Sequence, residues 1–146
     1  MQYLLLKLDN EEYWLELDNN GYATRQILVE NNKEIHLSCR EDCLAEGIVD
    51  VDEMLGDNVK LSKQEFSAKW QSVTLGYRGE WERTKLKYPF GECVQGICKF
   101  IYPQGPVIIG NDYMAIYKGG DSIEINQFVS AKVSWYDDTN MWLVLK

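Results

Sequence analysis

Positive charge, histidine and long apolar runs are what this sequence has least of. Fifteen Lys and Arg stand against 23 Asp and Glu, a formal net charge of -8 and a pI near 4.7 in 146 residues. Binding to nucleic acid then cannot rest on overall electrostatic attraction, which favours basic surfaces. The longest uncharged stretch, from Phe100 to Asn111, is short and is broken by Pro103, Gly105 and Pro106, which argues against a membrane-spanning helix. Met1 to Asp9 lacks a basic leader with a long apolar core, so no signal peptide is expected and the cytoplasm is the default location. The one histidine, His36, serves no His-Glu-x-x-His helix, and Gly-x-Ser-x-Gly and a phosphate-cradling Gly-rich loop ending in Lys-Ser/Thr are missing too. Carboxylates are so abundant that no pair stands out as an acid and base. The chain is therefore expected not to be an enzyme and to need no cofactor.

What is present is the composition of an ordinary globular protein, 45% hydrophobic and 26% charged, with length for one large domain or two small ones. Four cysteines occur as Cys39/Cys43 and Cys93/Cys98. Cys39 and Cys43 have a spacing that a zinc knuckle tolerates, with His36 as a further candidate ligand. Cys93 to Cys98 reads as a strand, in which residues an odd number apart diverge. Without a secretory leader disulfides lose their compartment. The expectation is no metal site, the cysteines acting as small buried hydrophobes and His36 as a structural residue.

Strand-like runs separated by turn residues dominate the first forty positions: Tyr3 to Asp9, Tyr13 to Asp18, Tyr22 to Glu30 and Glu34 to Cys39. This predicts an antiparallel meander. In the third run Ala23, Arg25, Ile27 and Val29 share one face. The segment Arg40 to Asn58 carries Glu41, Asp42, Glu46, Asp50, Asp52, Glu53 and Asp57, with Glu30 and Glu34 just before, and reads as a solvated connecting loop or an acidic docking surface. Ser62-Lys63-Gln64-Glu65 has the form of a capping box that opens a helix. Phe66, Trp70, Val73, Tyr77 and Trp81 then recur at helical spacing, and Pro89 stops the run. Five short strands follow, Cys93 to Tyr102, Val107 to Ile109, Tyr113 to Tyr117, Phe128 to Trp135 and Met141 to Leu145, the number a small barrel needs. The predicted fold is mainly β with one long helix, an α+β chain. Residues 1–61 form a β-meander with an acidic loop, 62–87 a connecting helix, and 88–146 a five-stranded OB-fold barrel.

In that last part Gly91, Val94, Gly96, Gly105, Val133 and Asp137 fall in the order and spacing of an OB-fold RNA-binding domain of the S-one type, which the sequence resembles from residue 88 onward. The S-one domain is named for the first protein of the small ribosomal subunit. The resemblance implies single-stranded RNA as partner, with aromatic side chains on the second and third strands stacking bases and lysines meeting phosphates. The positions it marks here are Tyr102, Tyr113 and Tyr117 for stacking, and Lys99, Lys118 and Lys132 for the backbone. Pro106-Val107 stands where the family places an aromatic, and the domain has no histidine. The run from Trp14 to Ile27 is similar to a meander in small bacterial proteins, some of them immunity proteins that bind and block a toxin. Together these imply a non-catalytic binding protein whose partner is single-stranded RNA or another protein. The alternative is an acidic inhibitor of a basic partner such as a toxin nuclease.

Overall fold

Two-residue alternation of apolar and polar side chains builds the amino-terminal sheet. Strands β1 (Gln2–Leu8), β2 (Glu11–Leu17), β3 (Ala23–Val29) and β4 (Ile35–Leu37) form the antiparallel meander in sequence order. Asp9 and Asn10, both at positive φ, make the two-residue turn between β1 and β2, a geometry that matches the twist of the flanking strands. Asp18 closes the next turn by accepting from the amides of Asn20 and Tyr22. Leu4, Leu6, Leu15, Leu17, Ala23 and Ile27 are buried. Helix α1 (Lys63–Thr74) lies against β1 and β2 and buries Phe66 and Trp70. It opens on the expected capping box, with Glu65 N donating to Ser62 Oγ and Ser62 N donating to Glu65 Oε1, both at 3.0 Å.

The acidic segment is not simply a loop. Asp57–Leu61 forms a strand, β5, antiparallel to the free side of β1, giving the sheet order β4-β3-β2-β1-β5. A 3-10 turn at Val51–Glu53 precedes it, and Cys39 and Leu44 are buried in the core. Four of the five β5 residues remain exposed, so the strand carries no apolar alternation by which sequence reasoning finds one. The structure, a computed structural model, describes residues 1–53 and 57–146; Met54 to Gly56 of the predicted loop lie outside the described residues.

The predicted long helix is present as α1, a 3-10 turn at Leu75–Tyr77, and α2 (Arg78–Lys87), which ends at Tyr88 before Pro89. The chain divides into two compact units, Met1–Leu75 and Gly76–Lys146, so α1 belongs to the first, with the sheet, and α2 to the second. The second unit also contains β6 (Cys93–Tyr102), β7 (Gly105–Ile109), β8 (Met114–Tyr117), β9 (Phe128–Asp137) and β10 (Trp142–Leu145). They close into the five-stranded barrel β10-β8-β7-β6-β9, in which β8 and β10 run parallel and the other pairs antiparallel. Gly96 in β6 leaves no room for a side chain, since a Cβ there would lie 2.7 Å from Ile108 Cγ2 and 2.8 Å from the Ile109 carbonyl oxygen. Helix α2 is tied to the last hairpin. Trp81 Nε1 donates to Asp138 Oδ1 at 2.8 Å, and Tyr136 Oη donates to the carbonyls of Lys85 and Tyr88 at 3.0 and 2.8 Å. Among the described residues no helix is long and apolar enough to cross a membrane.

Candidate nucleic-acid interface

The three tyrosines marked for stacking are buried. Tyr102, Tyr113 and Tyr117 are only 5%, 8% and 7% exposed. Tyr102 packs between Phe100, at 4.8 Å between ring centroids, and Trp142, at 6.1 Å. Tyr113 donates to the Gln95 carbonyl at 2.6 Å and meets Tyr88 edge-on. Burial, with the charges of Tyr88 and Asp112 beyond it, pushes its phenol up to about 12. Tyr117 donates to Asp121 Oδ2 at 2.7 Å, and that bond, with desolvation, raises its pKa. These rings fill the barrel unit and offer no open face to a base, which corrects the expectation of a tyrosine platform.

The lysines fare differently. Lys99, Lys118 and Lys132 are exposed. Lys99 is the extra residue of a bulge in β6, between Cys98 paired with Ile108 and Phe100 paired with Val107, and stands apart from the other two. Lys132 exchanges both backbone hydrogen bonds with Lys146, at 3.1 and 3.0 Å, and Lys118 N donates to the Leu145 carbonyl. Lys132, Lys146 and Lys118 therefore occupy one rung across β9, β10 and the end of β8. Neighbouring strands are about 4.8 Å apart, so the row spans about 10 Å. Lys118 Nζ donates to the Gln104 carbonyl.

Sequence reasoning missed the aromatic partner of this row. In β9 a second bulge sets Trp135 opposite Val144 while Val133 opposes Leu145, leaving Ser134 extra. A bulge re-aims the side chains beyond it. Trp135 therefore shares the face of Val144 and, two residues on, Lys146, and it is 64% exposed. Phe90, 55% exposed, stacks on it at 5.5 Å with 10° between the ring planes. Phe90 is held in place by Tyr136 at 4.7 Å and by its neighbour Gly91, whose amide donates to the Val133 carbonyl at 2.8 Å. The signal in the sequence was Phe90 directly after the helix-ending Pro89, but the unbulged alternation of β9 gave Trp135 the parity of the buried Val133.

Charge is divided between the units. Residues 1–75 hold 7 basic and 15 acidic side chains, a net of -8, whereas residues 76–146 hold 8 of each. The barrel unit is neutral, and the whole acidic excess lies in the sheet unit.

Cys93 is exposed and Cys98 buried, the divergence their odd spacing predicts, and no group of three metal-ligating side chains among the described residues includes a cysteine. Burial, then the charges of Glu41 and Asp42, pushes the Cys43 thiol up to about 12. No protein-family model matches the chain, and no curated protein matches it.

Proposed function

We propose that this is a non-catalytic binding protein whose barrel unit takes single-stranded RNA on Phe90 and Trp135, with Lys132, Lys146 and Lys118 on the adjoining phosphates. The observation that carries this reading is the exposed, stacked aromatic pair beside a row of three lysines, on a unit without the acidic excess of its neighbour. Stacking tolerates every base because each has a π-face, and lysines that follow the backbone add affinity that salt weakens. Such a surface reads a strand without reading its sequence.

The test is a fluorescence-anisotropy titration with mixed-sequence single-stranded RNA across a salt series. Each lysine that neutralises a phosphate contributes about 0.7 to the slope of log affinity against log salt. Lys132→Gln and Lys118→Gln should each flatten the slope by about that amount. A slope unchanged in the double variant would remove the row from the interface.

A second reading attaches to the sheet unit, whose net charge of -8 suits a basic protein such as a toxin nuclease. Inhibition of a basic nuclease that persists in Trp135→Ala would favour it.

A further inference from the structure

The hairpin between β3 and β4 gathers three ligand-type side chains on one face. Leu28 pairs with His36 and Val29 with Ile35, and Glu30 N donates to the Glu34 carbonyl at 2.9 Å. Residues two apart on a strand share a face, so Glu30, Glu34 and His36 point the same way. The turn holding them is fixed by Lys33 N donating to the Glu30 carbonyl, by Glu34 N donating to Asn32 Oδ1 at 3.0 Å, and by Lys33 at positive φ. A fourth residue, Glu41, comes from the turn after β4, where its amide donates to the Leu37 carbonyl. Its Oε1 lies 2.5 Å from His36 Nδ1.

Hydrogen-bond accounting leaves one atom unexplained. With Nδ1 bonded to Glu41, the remaining ring atom able to donate or to ligate is Nε2. That atom is closed off from solvent and has no hydrogen-bond partner. It faces Glu30 Oε1 at 3.4 Å and Glu34 Oε2 at 3.9 Å. Two carboxylates facing a ring nitrogen draw positive charge between them, either a proton on Nε2 or a bound cation. Both separations exceed the range of about 2.7–3.2 Å for a good N–H···O bond. Ligand atoms about 2.0–2.2 Å from a tetrahedral zinc ion stand roughly 3.3–3.6 Å from one another, a range that holds the Glu30 separation and that the exposed Glu34 carboxylate reaches by a small turn of its side chain.

We propose that Glu30, Glu34 and His36 form a zinc site, with Glu41 orienting the imidazole through Nδ1. A carboxylate on the far nitrogen of a metal-bound histidine is the recurrent second partner of such sites. The imidazole selects a zinc-like divalent ion over magnesium or calcium, which prefer all-oxygen shells. Glu34 is exposed, which leaves the fourth position to water. Bound zinc would pin the hairpin to the turn behind it, in the sheet unit and independently of the barrel surface. This differs from the sequence expectation of no metal, which tested His36 against the cysteines and not against glutamates brought in by a hairpin.

Isothermal titration calorimetry of the full chain with zinc chloride, beside magnesium and calcium chloride, tests the site. The expected result is one equivalent of zinc and neither of the others. His36→Gln and Glu30→Gln should abolish zinc binding, Glu41→Gln should weaken it about 10- to 100-fold, and Glu46→Gln, outside the group, should leave it unchanged. Cobalt(II) substituted for zinc should show no thiolate charge-transfer band. The proposal is overturned by absence of zinc binding, by equal binding in folded His36→Gln and Glu30→Gln proteins, or by a thiolate band that places the ion on a cysteine.

Discussion

Glu16 and Arg25 face each other across β2 and β3, both nearly buried. Arg25 Nη2 lies 2.5 Å from Glu16 Oε2, its Nε donates to Oε1 at 3.0 Å, and Thr24 Oγ1 donates to the same oxygen at 2.7 Å. The guanidinium also lies 4.9 Å from the Phe66 ring centroid and 5.0 Å from that of Trp70. Burial alone would raise the Glu16 pKa, but the bonds and charge of Arg25, with Thr24 and Tyr3, outweigh it and hold the carboxyl below its ordinary value. A depressed carboxylate contributes stability that is present above the unfolded pKa, about 4.3, and is lost as pH falls through the folded value. Urea midpoints measured from pH 7 downward should therefore fall below about pH 4, and Glu16→Gln should make that fall shallower. Arg25→Met leaves a buried carboxylate unpaired and should cost about 3–5 kcal/mol, read from the same urea curves. The sequence placed Arg25 on a face with Ala23 and Ile27, but the partner came only from the register. Thiol chemistry belongs to this scale as well. A maleimide should modify exposed Cys93 first under native conditions, with Cys39 and Cys98 shielded by burial and Cys43 kept protonated; mass spectrometry of the labelled peptides checks the order.

At the scale of elements, local chemistry was the readable part. Ser62 with Glu65, and Pro89, are short signals whose geometry is decided by the adjacent backbone, and each stands where its residues predicted, whereas the first hairpin turns at Asp9-Asn10, one residue inside the strand expected to run to Asp9. Ser62→Ala should destabilise the sheet unit by about 1 kcal/mol, measured by urea denaturation. Gly96→Ala tests the barrel, because the added methyl meets backbone that cannot step aside; a loss of about 1–3 kcal/mol is expected, seen as a lower thermal midpoint. Two features were not readable. Strand β5 is nearly all exposed and owes its existence to the vacant edge of β1, a long-range fact. The Ser134 bulge reverses the facing of everything after it, and nothing in Ser-Trp-Tyr announces an extra residue.

Across the whole molecule, the division of charge is what separates the two functional readings. The acidic excess is confined to residues 1–75, and residues 76–146 carry no net charge. The same closure that forms the barrel decides which aromatics are offered. Tyr102, Tyr113 and Tyr117 turn inward, while Phe90 and Trp135 stay outside. Strand spacing alone could not separate these two sets, because both occupy aromatic positions in or beside strands. Two of the three predicted lysines, Lys118 and Lys132, do come together, joined by Lys146, because the β8, β9 and β10 pairings place them on one rung. The most direct test is the affinity of purified Trp135→Ala for mixed-sequence single-stranded RNA at low salt, beside wild type and a Tyr102→Phe control. Loss of one stacking ring should cost about 1–3 kcal/mol, roughly 5- to 150-fold in affinity, with the control unchanged. Equal binding by wild type and a folded Trp135→Ala, or no binding by wild type at low salt, would contradict the account.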